Sequence, residues 1–413
     1  MKFKFLFLLF LIIFKSFSQE KDLNFYIQKA QTNSPLLSNI KNQIKSNSLD
    51  SLIFRATRKP QVSGNLYANY APLLDSIGYD TTLSNGKTLS ALVGINQRIL
   101  GKNQIKNQSQ FYKLISDALV LNKKIAIKDL NKTITSQYIS ASGTSEQIVY
   151  NQKINALLKN EATVLKKLTQ NSVYKQTDYL IFLASVKQQD LVVLQLKQQY
   201  QNDLGLLNYL SGEVDTTFIR LKKPEINLKN IKKDDKIIFY KPFEIDSLKI
   251  QNQNKLIDNA YKPTISLLGD AGYMSTFINS PYRNFGFSVG VGASIPIYDG
   301  HQRALQHQKN ENLLQTNLAY KVNFKKQYTQ QLLLLNQKLK QSNEIENQLN
   351  SQLLIVEALI EADKKLLITG DAQITEYVIA IGNLISIKNA ISQNNINKLQ
   401  TTNEINYWSF NNN

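Results

Sequence analysis

The chain has 413 residues, no cysteine, two histidines and a formal charge of +18. The missing cysteines exclude structural disulfides, thiolate zinc sites, a nucleophilic thiol and a lipidated N-terminal cysteine. His301 and His307 fall on different faces of a helix and make a poor metal pair, because transition-metal sites usually need about three or four soft or imidazole ligands.

The N-terminus reads as an export signal. Lys2 and Lys4 precede the apolar run Phe5 to Phe14, and Ser16 and Ser18 supply small residues before a cut. The apolar run is well short of the ~20 residues that span a bilayer as a helix. Residues 1–18 are therefore expected to be a cleaved signal peptide, with the mature chain starting at Gln19. No later segment reaches 18 apolar residues without a charge, so no transmembrane helix is expected. Removing Lys2, Lys4 and Lys15 leaves a charge of +15. An exported protein rarely meets nucleic acid, and the lysines are scattered without interleaved aromatics. The charge reads as a solvated face.

Beyond the signal the chain reads as a duplication. Lys59-Pro60 and Lys262-Pro263 each open an alternating stretch, and each second alternating stretch ends at a glycine, Gly101 or Gly300. Asp178-Tyr179 and Glu376-Tyr377 follow in the same order. The first repeat is placed at 19–221. It holds a helix over Asp22 to Thr57, strands at 60–72 and 88–100, a long helix at 102–171 and a return helix at 177–210. A Lys-rich connector, 222–241, follows and reads as a solvated equatorial segment. The second repeat, 242–413, holds a weaker helix over Phe243 to Ala260, strands at 263–275 and 285–297, a long helix at 301–369 and a return helix at 374–406.

The helical reading rests on Leu, Ile, Lys, Gln, Glu and Asn with apolar residues three and four apart, such as Leu353, Val356, Leu359 and Ile360. A 70-residue helix would be roughly 105 Å long, too long for a globular core, so a coiled coil or larger helical assembly is expected. Gly143 marks a kink or a break into two stacked helices.

The last strand sets Phe285, Phe287, Val289, Val291, Ala293, Ile295 and Ile297 on one face and small residues on the other. Its 13 residues exceed the usual 5–6; a membrane-spanning strand takes about 9–11. Four strands cannot close a membrane barrel, since open edges are forbidden in hydrocarbon. Several chains would have to pool them, two giving eight strands and three giving twelve. A half-buried strand of a soluble β-domain is the competing reading. Tyr67, Tyr70, Tyr79, Tyr273, Tyr282 and Tyr298 near strand ends suit an interfacial aromatic girdle.

In combination these pieces resemble the TolC family of outer-membrane efflux proteins. Asn33-Ser34-Pro35-Leu36-Leu37 is similar to the family's motif in the first helix. The two Lys-Pro pairs resemble its strand openings, and Ser294 to Gly300 with Arg303 resembles its Pro-Leu-Phe-Asp-Gly-Gly-x-Arg signature. The resemblance implies a homotrimer with a shared twelve-stranded barrel in outer-membrane lipid and a helical barrel in the periplasm. It implies a passive exit duct for efflux or type I secretion, served by a periplasmic adaptor (membrane fusion protein) and an inner-membrane transporter. It implies neither enzyme activity nor a cofactor. Gly101, Asp299 and Gly300 are the implied strand-to-helix hinges. The implied tip and aperture residues are Asn171, Ser172, Lys175, Asp178, Gly370, Asp371 and Glu376. Ala372 and Ile379 stand where the family pattern has a basic and a second acidic residue, so its closing mechanism does not carry over intact. The alternative function is a soluble periplasmic coiled-coil adaptor or scaffold.

Overall fold

Asp22 accepts a hydrogen bond from the Phe25 N–H at 2.8 Å and so starts helix α1, Leu23–Asn33. In this computed structural model, which describes residues 21–72, 77–78, 87–215, 219–228, 237–276, 283–371 and 373–409, the expected helix over Asp22 to Thr57 is two helices. Ser34 is extended, because a residue before proline is pushed out of the helical region. Pro35 then opens α2, Pro35–Ala56. The expected signal peptide lies outside the described residues.

Strands β1 (Gln61–Tyr70) and β2 (Lys87–Ile99) come next, then α3 (Lys102–Gln170) and α4 (Gln176–Ser211). A short 3-10 turn, Ile238–Tyr240, leads into α5 (Lys241–Ala260). The second series is β3 (Thr264–Ser275), β4 (Phe285–Ser294), α6 (Gln302–Thr369) and α7 (Ile374–Trp408). No helix among the described residues is long and apolar enough to cross a membrane.

The chain divides into two compact units. One holds the sheet, with Asn39–Lys123 and Phe239–Phe324. Its strands lie in the order β1-β2-β3-β4, all neighbours antiparallel, which makes β1 and β4 the edges. The helices of this unit are tied by amides rather than by apolar packing alone. The Asn47 side chain donates to the Tyr112 carbonyl at 3.0 Å, Asn252 to the Asn107 carbonyl at 3.2 Å, and Asn317 to the Phe243 carbonyl at 2.8 Å.

The other unit holds Met1–Ser38, Lys124–Ile238 and Lys325–Asn413. It has two apolar clusters. The first joins Tyr26 and Ala30 of α1, Ile134 and Tyr138 of α3, Tyr200 and Leu207 of α4, and Leu221. The described part of the connector is not simply solvated. Pro224, Ile238 and Phe239 are buried, and the Tyr138 hydroxyl donates to the Lys222 carbonyl at 2.8 Å. The second cluster joins Leu165, Phe182, Leu367, Ile374 and Tyr377.

Helix α3 runs unbroken through Gly143. A Cβ there would lie 2.3 Å from Cδ1 of Ile396 on α7. The glycine marks a close approach of two helices, not the expected kink or break.

Candidate conduit elements

The register gives the sheet two chemically different faces. Val62 pairs with Ile95, Leu66 with Ala91, Val93 with Ala271, Leu267 with Val291, and Ala271 with Phe287. Side chains alternate along a strand, so aligned neighbours carry one apolar face across all four strands. That face is solvent-exposed: Leu66 at 86%, Phe287 at 84% and Val289 at 83%. The opposite face presents hydroxyls, amides and glycines, with Leu92, Leu268, Met274 and Tyr67 among them. It is the more covered face of β2: Ser90 is buried and Leu92 and Gly94 are half-buried, while Ala91, Val93 and Ile95 are exposed. A curved sheet crowds its concave side, and the greater cover of the polar face of β2 fits a concave polar side.

Tyr70 and Tyr273 share the apolar face, but Tyr67 pairs with Ser90 on the polar one and leaves the expected girdle. Tyr79 and Tyr282 lie outside the described residues. Strand β4 stops at Ser294 rather than at Ile297. Its last partner is Thr264, and Pro263 before that residue has no N–H to offer.

The β4-to-α6 junction is built from polar contacts. Gly300 and His301 have φ of 63° and 66°. The Asp299 carboxylate accepts from the His301 N–H at 2.9 Å and the Arg303 N–H at 2.8 Å, which caps α6. The Arg303 backbone hydrogen bond and the Tyr261 hydroxyl hold the Asp299 carboxyl below the usual carboxylate range. The same contact pushes the Tyr261 phenol up. Asp258, on α5, accepts from Arg303 at 2.8 and 3.1 Å and lies 3.0 Å from Nε2 of His307. Burial works to raise its carboxyl, but the Arg303 and His307 hydrogen bonds outweigh that and hold it low.

The earlier junction works differently. Gly101 is not among the glycines with positive φ. Its N–H donates to Oε1 of Gln104 at 2.9 Å, the N3 side-chain half of a capping box. It shares its place in the chain with Gly300 but not its conformation.

In the other unit, two turns end the long helices. Ser172 (φ 60°) and Gly370 (φ 88°) take the left-handed position after α3 and α6. The Val173 N–H donates to the Leu168 carbonyl at 2.9 Å, and the Asp371 N–H to the Leu366 carbonyl at 3.0 Å; both are Schellman closures. The two turns touch. A Cβ on Gly370 would lie 2.8 Å from Cγ1 of Val173, and the buried Tyr174 hydroxyl donates to the Leu367 carbonyl at 3.1 Å. Helix α4 is capped at Lys175, whose N–H donates to the Asp178 carboxylate at 3.1 Å. Helix α7 has Gln373 at its N-cap position, with no side-chain capping hydrogen bond. Thr177 and Thr375 lie inside the first turns. Asp178 is half-buried, while Asn171, Ser172, Lys175, Asp371 and Glu376 are exposed. Ala372 lies outside the described residues.

Sequence reasoning missed the interior amides. Gln189, 3% exposed, donates to the Asn151 carbonyl at 3.3 Å and to its Oδ1 at 2.9 Å, and Asn151 in turn donates to Asn389 at 3.2 Å. Asn394 donates to the Ser342 carbonyl at 2.8 Å. Amides recurring among apolar positions were the available signal. Among the described residues there is no cluster of three His, Asp or Glu side chains able to hold a metal.

No protein-family model matches the sequence, and no curated protein matches it either. Solved structures do match. CusC, described in terms of transmembrane channel formation, is similar at a TM-score of 0.78 and 11% identity, over 95% of this chain and 93% of that one. The outer membrane protein VceC of Vibrio cholerae is similar at 0.77 and 12%, over 94% and 96%. The CmeC outer membrane channel of Campylobacter jejuni is similar at 0.73 and 12%, over 94% and 85%. The chain thus has the fold of the TolC-like outer-membrane channels.

Proposed function

We propose that this protein is the outer-membrane exit duct of a tripartite efflux or type I secretion system, a passive conduit from periplasm to exterior. One observation carries the reading. The sheet exposes an apolar face across all four strands, and its order leaves β1 and β4 as edges. Apolar exposure on that scale suits lipid, and hydrocarbon tolerates no open edge. Copies of the chain therefore pair β4 of one with β1 of the next. Three copies make a twelve-stranded barrel in the outer membrane, with the helices in the periplasm. The series β1-β2-α3-α4 and β3-β4-α6-α7 support a duplication, with long helices of 69 and 68 residues and return helices of 36 and 35.

A periplasmic adaptor and an inner-membrane transporter complete the system, and the turns at Ser172 and Gly370 form the periplasmic tip. The Asp178 carboxylate is already engaged by the Lys175 N–H. The exposed carboxylates of Asp371 and Glu376 are better placed to line an aperture. The solved channels with this fold favour a duct over a soluble adaptor.

Fractionation followed by mass determination in detergent tests the reading. Outer-membrane recovery at three times the mass of the mature chain is expected. A monomer or dimer in the soluble periplasm would return the strands to a small β-domain. Neutralising Asp371 and Glu376 is expected to change single-channel conductance in bilayers; unchanged conductance and ion selectivity would remove them from the aperture.

A further inference from the structure

The polar face of the sheet carries charge at only two levels. Of the charged residues in β1 to β4, Lys87 falls on the apolar face, and the polar face holds only Arg98 and Asp270. Arg98, near the helical end of β2, pairs with Ser266. Asp270 pairs with Gly94 on one side and Ser288 on the other, and the Ser288 hydroxyl donates to it at 2.7 Å. Four residues separate the two levels, roughly 13 Å along a strand. At its own level the polar-face neighbours of Asp270 are Ser63, Gly94 and Ser288, all small, so no large neighbour at that level overshadows the carboxylate.

We propose that Arg98 and Asp270 form two oppositely charged rings in the membrane section of the conduit, and that these rings offset each other's ion preference, rectify the current and favour neutral or zwitterionic cargo over polyions. The proposal rests on the shared-barrel reading above, with the polar face inward. Three copies place three guanidinium groups near the helical end and three carboxylates farther out. A barrel of twelve strands spaced about 4.8 Å apart and tilted about 40° has a radius of about 12 Å. The Debye length is about 10 Å at 0.1 M salt and about 3 Å at 1 M. The rings therefore reach the axis in dilute salt and are screened in concentrated salt. Equal and opposite rings nearly cancel in net selectivity. They leave a dipole along the pore, which makes the current differ with the sign of the voltage. A polyion of either sign meets one repelling ring.

Bilayer recordings of the full-length protein in potassium chloride gradients around 0.1 M test this. Arg98→Gln is expected to shift the cation-to-anion permeability ratio upward by about two- to five-fold, and Asp270→Asn to shift it downward by a similar factor. The double variant is expected to return near the native ratio but to lose rectification. Arg98→Lys keeps the charge and is expected to behave as native, and all shifts are expected to shrink at 1 M. Channels of native conductance with an unmoved reversal potential in both single variants would overturn the rings and leave the duct intact. A native protein that opens no channels would overturn the duct, and the rings with it.

Discussion

The ring of Phe182 on α4 stacks on the ring of Tyr377 on α7, 8° from parallel with centroids 6.1 Å apart. The contact joins the two helical hairpins near their turns. Phe182 is 1% exposed and Tyr377 0%. Phe182→Ala is expected to cost about 3–5 kcal/mol. Among the described residues the buried Tyr377 hydroxyl has no hydrogen-bond partner, and burial together with Glu161, Asp363 and Glu361 pushes its phenol up. Removing a buried, unpaired hydroxyl removes its desolvation cost. Tyr377→Phe is therefore expected to leave the thermal midpoint unchanged or raise it; a clear drop would show that the hydroxyl has a partner in the assembled protein.

The two turns carry different residues at the left-handed position. Ser172 takes a left-handed conformation that glycine adopts without penalty, and Gly370 already has glycine there. Ser172→Gly is expected to stabilise the turn by up to about 1 kcal/mol. Gly370→Ala is expected to destabilise it, since its Cβ would also meet Val173. Limited proteolysis at the turns reads both: slower cleavage for the first, faster for the second.

Two helical glycines should respond in opposite ways. Gly143 faces Ile396, whereas Gly205 has nothing within 4 Å of a built Cβ. Gly143→Ala is expected to cost about 1–3 kcal/mol through overpacking. Gly205→Ala is expected to add about 0.5–1 kcal/mol from helix propensity. Thermal unfolding of the two variants side by side checks the contrast.

The faces of the sheet can be told apart by charge insertion. Phe287→Arg places a charge on the apolar face of β4, at a cost of about 2–4 kcal/mol near a bilayer midplane. Outer-membrane recovery is expected to fall sharply. Asn65→Arg, on the polar face of β1, is expected to be recovered as native protein is. Equal recovery of both would place neither face in lipid.

Acid should weaken the β4-to-α6 junction. Asp258 and Asp299 are both held below the ordinary carboxylate value, so the folded chain keeps them ionised at lower pH than the unfolded chain does. Their contribution is present above the unfolded value of about 3.9 and is lost as pH falls through the lower folded values. Asp258→Asn is expected to lower the denaturation midpoint at pH 7 and to flatten its fall below pH 4. A midpoint that falls in acid as steeply as native would take Asp258 out of that response.

Alternation of apolar and small residues from Phe285 onward, proline-free stretches of helix formers and the two Lys-Pro openings were enough to read a mainly helical chain with four strands. These are local signals: a side chain's face follows from its position along a strand or helix. The sequence by itself thus determined which residues of each strand share a face. Only the tertiary structure decided how the strands pair. That register aligns Val62, Ile95, Gly269 and Val289 into one exposed face and leaves Tyr67 on the other. It also decided that Gly143 meets Ile396, that Gln104 rather than a left-handed glycine closes the first junction, and that Asn151 and Gln189 belong to the interior. Each of these depends on the distance between segments far apart in the chain, which no local period encodes.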